Sequence, residues 1–243
     1  MKPVMSQNRF LAMLPRSIQE VFDTHSEITE IRKALIGNSD DDGQEFIFFP
    51  LTCLYSVDIR MSDGFQAHLA LLGYRHAVGT HYASEPPLPG AARVIVSGYA
   101  LRLPFDIFVS EWSRSAELQR ALQDQLFQLT RMLGIATACN MHHPLQRRLA
   151  RWLLSAADAS STKSFELTHE ELASLLGVRR EAVTESLSRL SLAGAIETTR
   201  GRVTLRDHQL LREASCECHA LTLDHPTATT ARRFDQRRVV ALA

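Results

Sequence analysis

The chain has no run of about 18 apolar residues, so no segment of it reads as a membrane span. It opens without a basic stretch followed by an apolar one, so a secretory leader is not expected and the expected location is the cytoplasm. Cysteine is scarce: four residues in 243, too few and too scattered for a disulfide scaffold. Signatures of catalysis are missing as well. There is no G-x-S-x-G elbow, no H-E-x-x-H pair and no glycine-rich phosphate loop, so an enzyme is not expected. Net charge is also lacking, with 27 basic and 27 acidic residues.

That zero hides an asymmetry. Residues 1–139 hold 12 Lys and Arg against 15 Asp and Glu, whereas residues 140–243 hold 15 against 12. The C-terminal part is therefore basic by three charges, the sign expected of a part that meets a polyanion. The length suits two domains, and an apolar content of 45% is ordinary for a globular chain.

The N-terminal part begins with a helical pattern from Asn8 to about His25, which Pro15 should divide. Short β-like runs follow at Phe46–Phe49, Leu54–Met61, Gln66–Leu72, Arg93–Ser97 and Tyr99–Leu103. Turn signals separate them at Asp40-Asp41-Asp42-Gly43, Asp63-Gly64, Glu85-Pro86-Pro87 and Pro89-Gly90. Many short strands with frequent turns point to a small sandwich or β-roll. A long helix is expected over Ser115–Asn140. Its Leu122, Leu126, Leu129, Leu133, Ala136 and Asn140 step by fours and threes, the repeat of a coiled-coil seam. Such a seam joins two copies of the chain; the same stripe on a single helix could pack on its own domain. Pro144 suits the start of the next helix, with Leu145, Leu149, Trp152 and Leu153 on its apolar face. Ala156–Ser164 reads as a polar linker, and pattern is lost beyond Cys218.

The densest signal lies between Leu167 and Asp207. Thr168 and Glu171 have the spacing of a capping box, so a helix starts there. Leu172, Leu175 and Leu176 give it an apolar face, and Gly177 suits the left-handed residue that ends it. Val178 is the apolar turn residue. A second helix is expected from about Arg179 to Leu192, with Val183, Leu187 and Leu190 forming one buried stripe. Glu181, Thr184, Glu185 and Ser188 fall on another face, beside Arg180. After Gly194, two short strands at Ile196–Thr199 and Arg202–Leu205 flank Arg200-Gly201. Two helices, a tight turn and a basic hairpin are the layout of a winged helix-turn-helix, which lays its second helix in the DNA major groove.

These residues resemble the Crp–Fnr superfamily of bacterial transcription regulators. The resemblance rests on Gly177-Val178-Arg179-Arg180-Glu181-Ala182-Val183-Thr184, Arg189-Leu190, Gly194-Ala195-Ile196 and Arg200-Gly201-Arg202-Val203-Thr204-Leu205. It continues upstream through Cys139-Asn140-Met141-His142-His143-Pro144 and Arg148-Leu149-Ala150-Arg151-Trp152-Leu153-Leu154, and is architectural in the N-terminal part. It implies an α+β fold. A β-roll sensor domain (a double-stranded β-helix) would span residues 1–114, a dimerisation helix 115–140, and a winged helix-turn-helix 144–222. A loose basic tail would follow at 223–243, where Arg232, Arg233, Arg237 and Arg238 either touch phosphate or are simply solvated. It also implies a homodimer on a palindromic operator and contact with RNA polymerase. The competing reading is a ligand- or metal-binding β-domain whose helical module serves protein interaction.

Base reading would fall to Arg180 and Glu181, which match the family's arginine and glutamate, with Thr184 and Glu185 beside them. Arginine binds guanine in bidentate fashion and glutamate accepts from cytosine. Glu185 departs from the family, where an arginine is common, so it either alters specificity or pairs with Arg189 one turn on. Thr168, Arg179, Ser188, Arg189, Arg200 and Arg202 are the candidates for phosphate contacts, which position without reading sequence. Arg179 stands where the family often has a serine cap.

The sensor domain departs further. The family's cyclic-nucleotide motifs are replaced by Val78-Gly79-Thr80-His81-Tyr82 and Pro89-Gly90-Ala91-Ala92-Arg93, without the glutamate and the phosphate-binding arginine. A cyclic nucleotide is therefore not the expected effector. The family's oxygen-sensing iron–sulfur centre needs several N-terminal cysteines, and only Cys53 precedes the long helix. His25, His68, His76 and His81 are scattered, so haem is not expected, and no cofactor is assigned. Cys216-Glu217-Cys218-His219 invites a metal, to which Cys139, His142 and His143 at the helix hinge could add ligands. Its C-x-C-H spacing is not the usual C-x₂-C of zinc sites, and packing of the last helix is the expected role.

Overall fold

A computed structural model describes residues 3–33, 45–62, 66–80 and 91–223. The expected turns at Asp40-Asp41-Asp42-Gly43, Asp63-Gly64, Glu85-Pro86-Pro87 and Pro89-Gly90 lie outside the described residues. So do His81, Tyr82 and the four arginines of the tail.

The first helices are α1 (Arg9–Ala12) and α2 (Arg16–His25). Asn8 caps α1, its Oδ1 accepting from the N–H of Leu11, and Pro15 separates the two helices. Six strands follow: β1 (Glu27–Ile31), β2 (Phe46–Pro50), β3 (Leu54–Arg60), β4 (Gln66–Leu72), β5 (Ala91–Val96) and β6 (Gly98–Pro104). They form two antiparallel sheets, in the orders β1-β6-β2 and β4-β3-β5. Side chains alternate across a strand, so β2 serves two cores at once. Phe46 and Phe48 meet Tyr55, Leu72 and Val94 between the sheets. Ile47 and Phe49 face α1, α2 and a third helix, α3 (Phe105–Arg114), through Phe10, Phe22 and Phe108. Neither β1 nor α3 was legible: β1 is a mostly exposed edge strand, and α3 begins directly after the proline that ends β6.

The long helix α4 runs Ala116–His142, capped by Ser115. Gln125 fastens it to the β-domain, accepting from the Ala77 N–H at 2.8 Å and donating to the Ala77 carbonyl at 2.9 Å. The next helix, α5 (Leu145–Ser160), starts after Pro144. It runs through most of the segment expected to be a linker, because Ala156 and Ser160 continue the buried face of Leu149, Trp152 and Leu153.

The C-terminal domain adds β7 (Ser164–Phe165), α6 (His169–Leu176), α7 (Arg180–Leu192), β8 (Ile196–Thr199) and β9 (Arg202–Leu205). Two further helices are α8 (His208–Ala214) and α9 (Cys218–Leu223), the latter standing where pattern was expected to fade. The wing is three-stranded, β7-β9-β8, since β7 joins the expected hairpin. The domain core of Leu149, Trp152, Leu172, Val183, Leu187 and Val203 is continuous with Leu54, Leu71 and Ile95 on the outer face of the β4-β3-β5 sheet. Close approach is built in at Gly73, where a Cβ would lie 1.9 Å from the Ala159 carbonyl oxygen, so any side chain there would push the two domains apart.

Candidate nucleic-acid interface

The helix-turn-helix is fixed locally before it is packed. Thr168 Oγ1 accepts from the Glu171 N–H at 3.1 Å and Glu171 Oε2 accepts from the Thr168 N–H at 2.7 Å, closing the expected capping box. Gly177 ends α6 at φ 64°, a left-handed conformation that an L side chain adopts only at a cost. Arg179 occupies the N-cap of α7 and makes no side-chain capping bond, as its residue type dictates.

Val183, Leu187 and Leu190 are buried, and this rolls Arg180, Glu181, Thr184, Glu185, Ser188 and Arg189 outward on α7. Arg179, Arg180 and Arg200 have no acidic partner among the described residues, so their guanidinium groups are available. A shallow groove joins Arg180 to Thr168 and His169 at the start of α6 and to Thr199, Arg200 and Gly201 at the wing tip. The starts of α6 and α7 and the wing tip thus meet in one groove, where the side chains of Arg180 and Arg200 are cations of the kind that hold phosphate.

Several expected contacts are already committed within the chain. Glu185 accepts from Arg189 at 2.6 Å one turn along α7, so the carboxylate neutralises a phosphate candidate. Arg202 pairs with Glu166 at 2.6 Å. The hydroxyls of Thr184 and Ser188 donate to the carbonyls of Arg180 and Thr184 at 3.1 and 2.9 Å. Thr184 Oγ1 also lies 2.8 Å from His169 Nδ1, a helix-to-helix contact that the sequence reading missed.

The expected seam on α4 divides. Leu122 and Leu129 pack on the cores of the chain's own β-domain, and Ala136 lines a cavity between the domains. Leu126 and Leu133 are exposed, and Asn140 accepts from Arg148 at 3.0 Å. Their apolar neighbours on the solvent side are Phe127, 75% exposed, and Met141, 84% exposed. An a/d repeat on a helix that also serves its own domain cannot give both rows to a partner, so the free stripe is rotated from the expected one.

The interdomain cavity lies among β4, α4 and α5, lined by His68, Arg75, Gln128, Trp152 and Asp158. Arg151 and Ser155 line it too, and Arg151 Nε, Trp152 Nε1 and Ser155 Oγ are buried with no hydrogen-bond partner among the described residues. Deeper in the same interface Arg93 Nε donates to Asp58 Oδ2 at 3.1 Å. Asp58 also binds the Ser56 hydroxyl, which lies 2.7 Å from His68 Nδ1. Arg93, which ends the segment standing in place of the phosphate motif, is therefore consumed by a carboxylate.

The cysteines are not arranged as expected. His219 turns to Asp158 at 2.8 Å and His142 is exposed, whereas Cys139, His143, Cys216 and Cys218 converge. Burial, and then the neighbouring Cys139 thiol, pushes Cys216 up to about 12.

Residues 147–214 match the family model of the Crp-like helix-turn-helix domain. No curated protein matches the sequence. Among solved structures, a putative transcriptional regulator of the Crp/Fnr family from Eubacterium rectale is similar at TM-score 0.63 and 17% identity, covering 86% of this chain and 98% of that one. FixK2 from Bradyrhizobium japonicum is similar at TM-score 0.63 and 18% identity, covering 79% and 98%. The c-di-GMP-responsive global regulator CLP of Xanthomonas campestris is similar at TM-score 0.58 and 16% identity, covering 79% and 99%. Residues 147–214 are thus a Crp-like helix-turn-helix domain, and the chain as a whole has the fold of the Crp/Fnr regulators it is similar to.

Proposed function

We propose that the chain acts as a homodimer that reads a palindromic operator, placing α7 of each copy in successive major grooves. One observation carries this: Arg180 stands exposed at the start of α7, with no acidic partner among the described residues, in one groove with Arg200 of the wing. Arg180 reads a guanine, and Glu181 accepts from a cytosine beside it. Arg179 and Arg200 hold phosphates on either side of the groove. Thr168, Thr184, Ser188, Arg189 and Arg202 contribute after giving up their present partners.

Dimerisation follows the solvent-side stripe of α4, with Leu126, Phe127, Leu133 and Met141 as the apolar contacts. Two-fold symmetry then sets the half-sites about 34 Å apart, one turn of the duplex. The protein works by binding and not by turnover, in the cytoplasm beside RNA polymerase. Among the described residues no helix is long and apolar enough to cross a membrane. The β-domain receives a signal other than a cyclic nucleotide, since Arg93 is tied to Asp58.

Selection of duplexes from a random pool tests this reading. A two-fold consensus, bound with a steep loss of affinity as salt rises, is the expected result. Binding that ignores sequence, or that survives high salt, would instead favour the interaction-module reading.

A further inference from the structure

The end of α4 and the junction of α8 with α9 bring together four ligand-bearing side chains. Cys139 lies on the last turn of α4 and His143 caps it, while Cys216 precedes α9 and Cys218 begins it. Their ligand atoms all lie within 4.8 Å of one another. Cys139 Sγ is 3.6 Å from Cys216 Sγ, and Cys218 Sγ is 3.7 Å from His143 Nδ1. A tetrahedral ion bound at about 2.3 Å to sulfur and about 2.0 Å to nitrogen separates its ligands by roughly 3.5–3.8 Å. We infer that Cys139, His143, Cys216 and Cys218 form a closed Cys₃His site for one thiophilic divalent cation of the zinc class, stapling the long helix to the end of the DNA-binding domain.

Buried cysteines also serve as small apolar residues, but packing alone does not account for His143. Its Nε2 lies 3.3 Å from Glu217 Oε2. A proton on Nε2 donates to that carboxylate and leaves the Nδ1 lone pair aimed at the thiols. Metal-bound histidines are held by the same outer carboxylate bond, which fixes the tautomer. Three histidines occur near the cluster, and the geometry selects one. An iron–sulfur cluster interposes several atoms between its ligating sulfurs, so a spread of 4.8 Å fits one ion. Four protein ligands leave no open position, as in a structural site and unlike a catalytic one.

Binding releases the thiol protons to solvent and leaves three thiolates around one dication, a net charge of −1. Arg148 donates to Asn140 Oδ1, next to Cys139 in the chain, at 3.0 Å, and to the Leu176 carbonyl at 2.6 Å. Leu176 ends α6, so the site is one side chain away from the helix-turn-helix. The inference rests on these side chains alone and stands apart from the DNA reading.

The test uses the full-length reduced protein, stripped with chelator under anaerobic conditions and titrated with Co²⁺ as an optical probe. The expected result is one Co²⁺ per chain, with four-coordinate ligand-field bands and thiolate charge transfer. One equivalent of Zn²⁺ should bleach both and raise the melting temperature. Cys216→Ser and Cys218→Ser should lose stoichiometric uptake, and Glu217→Gln should weaken binding about 10–100-fold. Cys53→Ser, buried elsewhere, should bind normally. If a cysteine variant does not fold, stripping and refilling the wild type still gives the spectrum. A folded, reduced wild type that takes up no Co²⁺ would overturn the inference. So would unchanged binding in folded Cys218→Ser, or a Cys139–Cys216 disulfide in protein prepared without oxygen.

Discussion

Lys33 Nζ lies 2.5 Å from Glu171 Oε1, an ion pair that joins the β-domain to the capping box of α6. The same ammonium donates to the Glu166 carbonyl at 2.6 Å. The capping box that starts the helix-turn-helix is thereby tied to the β-domain.

This pair gives the fold a pH dependence. Burial pushes the Glu171 carboxyl up, but the bonds from Lys33 and Thr168 outweigh it and hold the group below its ordinary value. A folded value below the unfolded one means that the stabilisation is complete above the unfolded-state value. It is lost as pH falls through the folded one. Lys33→Ala should cost about 1 kcal/mol or less at neutral pH, as for a partly exposed pair, and should weaken the acid limb of the stability curve. Amide exchange in α6 should quicken. Urea melts across pH check this; an unchanged acid limb would mean that the tie carries no free energy.

Asp58 should contribute to the same limb from a drier place. Burial raises its carboxyl, while His68, Ser56 and Arg93 together bring it below the usual carboxylate value. Its contribution, too, is present at neutral pH and fades as pH drops through that lowered value. Arg93→Ala strands the carboxylate in the interface and should cost about 3 kcal/mol. Adding Asp58→Asn should recover much of the loss, since no charge is then left unpaired. Thermal melts of the two single variants and the double variant close the cycle. Equal additive losses would mean that the two residues do not share a pair.

On the DNA side, Arg180→Ala should cost about 1–3 kcal/mol on the selected operator and little on random duplex. Glu185→Ala has the opposite sign on random DNA, because it frees Arg189 and removes a carboxylate from the groove-facing side. Its salt slope should steepen by about one phosphate contact. Titrations at several salt concentrations separate the two. An equal loss for Arg180→Ala on both duplexes would remove it from base reading.

The C-terminal domain was legible because its signals are local. A capping box, a left-handed glycine and a period-3.6 stripe each act within four residues, and Thr168, Gly177 and Val183 behave as their neighbours dictate. The missed features depend on long-range contacts. β7 exists only because Phe165 reaches the wing core and pairs with Val203. Trp152 showed an apolar face, but not that the face continues onto Leu54 and Leu71 of the other domain. Cys139 and His143 were candidates beside Cys216 and Cys218, but spacing alone could not show that the four converge across 75–77 residues. The pairing of Glu185 with Arg189 was one of two open readings, and the i,i+4 geometry realises it.

The heptad on α4 is the sharpest case, because its sequence supports two interfaces on one helix. Leu129→Asp places a charge against the sandwich core, so it should lower stability whatever the oligomeric state. Phe127→Asp and Leu133→Asp change only the solvent-side stripe of the chain. They should leave the folded protomer's far-ultraviolet signal intact while halving the sedimenting mass. Operator affinity should fall with them, because a half-site bound by one copy loses the second copy's contacts at high effective concentration. Sedimentation equilibrium on the three variants decides which row is the seam. A dimer that survives Phe127→Asp and Leu133→Asp together would place the interface elsewhere on the molecule.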